Sequence, residues 1–96
     1  MDASSKLLVG NWKMYGLRAA LSEIDIIKGA CPTLPADVAV AIAVPFTLLA
    51  AAAELTAGSG ILIGAQDCHA ATEGAYTGDV SAEQIADSGA CFTIVG

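Results

Sequence analysis

Positive charge is scarce in this sequence. Four Lys and Arg face ten Asp and Glu, a formal net charge of −6 over 96 residues. Binding a phosphate backbone takes clustered basic side chains, so nucleic acid is excluded as a partner. Charged residues of both signs reach only 15% while apolar ones make up 55%, the reverse of a disordered composition. Aromatics are also few, at 5%, so the apolar excess lies in Ala, Val, Ile and Leu. The cysteines, Cys31, Cys68 and Cys91, form no CxxC pair and are odd in number, which argues against a disulfide framework. A reducing cytoplasm is the expected location. The longest uncharged run, Val38 to Ala53, contains Pro45 and falls short of the ~18 residues of a membrane-spanning helix, so no membrane association is expected. The opening Met1-Asp2-Ala3-Ser4-Ser5-Lys6 carries an acid and leads into only three apolar residues, so no targeting segment is expected. Three chemical signatures are missing as well: the GxSxG elbow, the GxxxxGK[ST] phosphate loop and the GxGxxG fingerprint.

What is present reads as alternating strands and helices. Lys6 to Gly10, Asp37 to Val44, Ile61 to Ala65 and Cys91 to Val95 are short, almost continuously apolar and rich in Val or Ile. Strands of a parallel sheet covered on both faces read this way, because neither face meets water. Between them, Leu17 to Lys28 repeats apolar residues at helical spacing, with Gly29 expected to stop the helix. A second helix is expected from Phe46 or Thr47 to Ala57, ahead of Gly58-Ser59-Gly60. A third starts at Ser81, with Gln84 placed three residues on as its capping-box partner, and ends at Ser88-Gly89. The order is β-α-β-α-β-α-β, within one domain. One connection is long: about 15 residues, Gln66 to Val80, separate the third strand from the third helix. A loop of that length is a candidate for function.

Asn11-Trp12-Lys13 directly follows the first strand. Ligands of parallel α/β sheets sit beyond the carboxyl ends of the strands, and a lysine there, on an acidic chain, suits an anion. In the long loop, Asp67, Cys68, His69, Glu73 and Asp79 match no zinc or calcium spacing, and the adjacent Cys68 and His69 point apart; no metal and no cofactor are expected. His69 reads as a loop histidine bonded to backbone rather than a general base.

Several segments, in order and across the whole chain, resemble triosephosphate isomerase. Val9-Gly10-Asn11-Trp12-Lys13-Met14 is similar to that family's first-strand signature, and Pro45-Phe46 to its second βα turn. Gly64-Ala65-Gln66-Asp67-Cys68-His69 and Gly74-Ala75-Tyr76-Thr77-Gly78-Asp79-Val80-Ser81-Ala82-Glu83 are similar to its third loop, and Thr93-Ile94-Val95-Gly96 to its fourth strand. Tyr15 stands where the family often has Asn, and Asp79 where Glu is usual.

The resemblance implies a (β/α)8 barrel, with residues 1–96 as the N-terminal half of its single domain: four parallel strands and three helices. It implies an isomerase of glycolysis and gluconeogenesis that interconverts dihydroxyacetone phosphate and glyceraldehyde 3-phosphate through an enediolate. Lys13 would attract the substrate phosphate and offset enediolate charge, and Asn11 would bond substrate and hold Lys13. Met14, Tyr15, Gln66, Thr77 and Asp79 would lie at a homodimer interface formed through loop 66–80, with Thr77 reaching the partner's site. The family's electrophilic histidine and glutamate base, a division of labour known for this enzyme, would fall beyond Gly96. A full barrel takes about 250 residues. The chain alone is therefore expected to be inactive, with strands one and four as open apolar edges. The alternative is a non-catalytic half-barrel acting as a folding or assembly module.

Overall fold

In a computed structural model, residues 5–96 are described; the N-terminal Met1–Ser4, read above as carrying no targeting signal, lies outside the described residues. Four strands form one sheet: β1 (Lys6–Asn11), β2 (Val38–Ala43), β3 (Leu62–Ala65) and β4 (Phe92–Thr93), in spatial order β1-β2-β3-β4. Every neighbouring pair is parallel, with Asn11 beside Ala43, Ala43 beside Gly64 and Ala65 beside Thr93. The carboxyl ends of all four strands therefore lie along one rim. The strand β4 is shorter than Cys91 to Val95, yet its pairing runs on at both ends. Cys91 N–H donates to Ile63 O at 2.9 Å and Ile94 N–H to Ala65 O at 3.0 Å.

Helices follow each of the first three strands: α1 (Leu21–Ala30), α2 (Phe46–Thr56) and α3 (Ala82–Asp87). A 3-10 turn at Arg18–Ala20 opens α1, so the regular helix begins four residues later than the apolar periodicity suggests. Gly29 does not stop α1. The helix runs through it to Ala30 and into a second 3-10 turn at Cys31–Thr33. Glycine ends a helix only when it takes a left-handed conformation, which Gly29 does not. Pro32, with no N–H to donate, ends the ladder instead. The start of α3 is the expected one: Gln84 N–H donates to Ser81 Oγ at 3.1 Å, and Ser81 N–H to Gln84 Oε1 at 3.0 Å.

The core forms where the sheet meets α1 and α2, around Ile24, Ile42, Val44, Leu48, Leu49 and Ile63. One expectation is corrected by it. The edge strands are not buried on both faces: Leu7, Leu8 and Val9 of β1 remain 57%, 56% and 50% exposed, and Cys91 and Val95, flanking β4, are exposed as well. The central strands β2 and β3 have a neighbour on each side, whereas β1 is an edge, so its side chains lack half the layer that would cover them.

Candidate active site

The rim is built outward from β1. Trp12 N–H donates to Ala43 O at 3.0 Å, extending the β1–β2 pairing one residue past the strand. The Trp12 ring then turns inward. Gly16, at φ +112°, lies beneath it, and a Cβ there would stand 3.0 Å from both the Trp12 ring and Leu48 Cδ1. With Trp12 anchored, its neighbours Asn11 and Lys13 are left exposed at the carboxyl rim. Lys13 is where parallel-sheet logic puts an anion-seeking cation.

Its backbone is unusual. Lys13 has φ +57° and is the one non-glycine residue with positive φ among the described residues. The left-handed conformation costs an ordinary residue roughly 1–2 kcal/mol, so other contacts must offset it. Both flanking peptide groups supply them. Lys13 N–H donates to Asn11 Oδ1 at 2.9 Å, and Lys13 O accepts from Gln66 Nε2 at 2.9 Å. The same Gln66 nitrogen donates to Ala43 O at 3.2 Å.

The residues expected at a subunit contact are on the surface. Met14, Tyr15, Thr77 and Asp79 are exposed, while Gln66 is half-buried and its amide is turned back into its own chain. Tyr15 donates its hydroxyl to Glu23 Oε2 at 3.2 Å and meets Trp12 edge-on, ring centroids 5.6 Å apart. The hydrogen bond to the Glu23 carboxylate, reinforced by its negative charge, raises the Tyr15 phenol above its ordinary 10.0.

Loop 66–80 is braced from within. His69 N–H donates to Val80 O at 2.8 Å, Ala71 N–H donates to His69 Nδ1 at 2.9 Å, and the imidazole stacks on Tyr76 with centroids 4.0 Å apart. His69 is thus tied to backbone, as read from the sequence. The brace leaves the stretch from Thr72 to Asp79, Thr77 included, fully on the surface. Among the described residues, no three His, Cys, Asp or Glu side chains gather as a metal site, and Cys31, Cys68 and Cys91 are free thiols.

A family model for triosephosphate isomerase matches residues 6–96. The chain belongs to the triosephosphate isomerase family. It is 49% identical over 90 residues to a triosephosphate isomerase of Xanthobacter flavus, covering 94% of this chain and 35% of that protein. With the Ruegeria pomeroyi triosephosphate isomerase it shares 50% over 91 residues, 95% of this chain and 36% of the relative. Among solved structures, triosephosphate isomerase from Bartonella henselae superposes with a TM-score of 0.86 at 39% identity, over 94% of this chain and 37% of that one. The chain thus spans little more than a third of the length of the family members it matches. Its four parallel strands and three helices are part of the (β/α)8 barrel of triosephosphate isomerase. No helix among the described residues is long and apolar enough to cross a membrane.

Sequence reasoning placed Asn11 and Lys13 together at the rim, and the structure has them there. It assigned Gln66 to an interface alone and missed its tie to Lys13. The available signal was a long amide donor immediately past the end of β3, level with the end of β1.

Proposed function

We propose that this chain supplies part of the active site of a triosephosphate isomerase that interconverts dihydroxyacetone phosphate and glyceraldehyde 3-phosphate through an enediolate. Lys13 acts by charge. Its ammonium attracts the substrate phosphate and stabilises the negative charge that grows on the enediolate. Asn11 accepts the Lys13 N–H through its side-chain oxygen, which leaves its amide nitrogen free to donate to substrate. The observation that supports this reading is the Lys13 backbone, held in a strained conformation from both sides at the carboxyl rim of a parallel sheet.

The proton-moving base and the electrophile lie outside these 96 residues, so the chain by itself has no isomerase activity. In the complete enzyme it works as one half of a single barrel domain. Two such enzymes pair as a cytoplasmic homodimer of glycolysis and gluconeogenesis, with Met14, Tyr15, Gln66, Thr77 and Asp79 near the contact and Thr77 extended toward the partner's Lys13. No cofactor enters the reaction.

Lys13→Met tests the reading in the complete isomerase, because it removes the charge and keeps most of the stem. A charge pair 4 Å apart at an effective dielectric of 20 is worth ~4 kcal/mol, or roughly three orders of magnitude in rate. The loss should divide between a higher KM and a lower kcat, since phosphate and enediolate are both anionic. Near-parental values of both constants would remove Lys13 from the site.

A further inference from the structure

We infer that Gln66 is a positioning residue for the isomerase reaction, acting through Lys13; the inference rests on the reading of Lys13 as the cation that faces substrate. Gln66 follows the last residue of β3, and its side chain crosses the end of β2 to reach Lys13, two residues beyond β1. One amide nitrogen serves both contacts, Lys13 O at 2.9 Å and Ala43 O at 3.2 Å. Both partners are carbonyl oxygens, which accept only. The group facing them must therefore carry two protons, and a side-chain NH2 does.

The consequence for Lys13 is geometric. Its N–H is held by Asn11 and its C=O by Gln66, so the two peptide planes around its Cα are fixed independently. Fixing them holds φ at +57° and with it the direction in which the Lys13 side chain leaves the rim. Asn11 alone cannot do this, because it touches only the amide side. Ala43 O is also the acceptor of Trp12 N–H, so the strut fastens Lys13 to the hydrogen bond that extends the β1–β2 pairing. Residue type at this position is narrow. Asn is one methylene too short to span β2, Glu would point an unprotonated oxygen at two carbonyls, and Met keeps the length with no donor.

Gln66→Met and Gln66→Asn, each made in the complete isomerase with and without Lys13→Met, separate positioning from plain support. On the parental background either variant should lower kcat/KM by at least tenfold and up to about a hundredfold, the loss that a misplacement of about 1 Å can cause. On the Lys13→Met background the same variant should lower it no further, because the group it positions is gone. A stability effect, read as the thermal midpoint, would persist on both backgrounds and so marks what is merely structural. Parental kcat/KM in both Gln66 variants, or an equal loss with and without Lys13, would overturn the positioning role while leaving Lys13 in the site. Near-parental activity of Lys13→Met alone would overturn both readings together.

Discussion

Lys13 pairs a conformation that side chains avoid with a charge that is scarce on this acidic chain. A positive φ is a local strain, and it persists because surrounding contacts over-determine it. Asn11 therefore has a backbone duty besides any contact with substrate, and Asn11→Ala should free the Lys13 N–H. The expected outcome is faster hydrogen exchange at the Lys13 amide, measured by NMR, together with a stability loss of about 1 kcal/mol, the usual worth of one such bond. An unchanged exchange rate would mean that Asn11 does not hold the turn. The Tyr15 contact depends on pH. Its phenol is raised by Glu23, so the Tyr15–Glu23 contact is intact below the ordinary tyrosine value of 10.0 and is lost as pH rises through the raised one. Glu23→Gln should bring the phenolate titration, followed by ultraviolet absorbance, down toward 10.0. The Tyr15 side chain is exposed at the surface, so overall stability should hardly respond.

Elements differ in how far local rules decide them. The start of α3 is decided by two side chains three residues apart, and both hydrogen bonds of the capping box form. Ser81→Ala should cost about 1 kcal/mol in chemical denaturation, since it leaves an N-terminal N–H of the helix without its acceptor. The end of α1 is not decided by its glycine. Whether Gly29 stops the helix depends on the backbone angle it adopts, and composition does not encode that angle. The strands β3 and β4 show a different constraint. Gly64 of β3 sits against the Phe92 ring of β4, and a Cβ on Gly64 would enter that ring. Gly64→Ala should therefore destabilise by about 1–3 kcal/mol through overpacking. A urea midpoint equal to the parent's would show that Phe92 has room to turn away.

At the scale of the whole molecule the sheet is open. The strand β1 presents Leu7, Leu8 and Val9 at half exposure together with an unpaired backbone edge, which is a template for further pairing. A (β/α)8 barrel closes by giving such edges neighbours, and these residues span little more than a third of a family member. Loop 66–80 is the second surface with a molecular consequence. Its His69–Tyr76 stack and backbone ties hold it folded on itself, so the exposed Thr77 is presented on a rigid support. Replacing the stretch from Thr72 to Asp79 by a short turn in the complete isomerase should yield monomers by sedimentation. A fully dimeric product would place the subunit contact elsewhere.

The parallel α/β order, the capping box of α3, the family, and the adjacency of Asn11 and Lys13 at the end of the first strand are all legible in the amino-acid sequence. Each of these depends on residues close together in the chain: short apolar runs, a Ser and a Gln three apart, a contiguous Asn-Trp-Lys. Tertiary structure decided what depends on distant residues. Gln66 lies 53 positions from Lys13, and only the parallel register of β1, β2 and β3 brings its amide to the Lys13 carbonyl. The exposure of β1 is of the same kind. Leu7, Leu8 and Val9 are as apolar as the residues of β2, and what leaves them half exposed is that β2 has a neighbour on both sides and β1 on one.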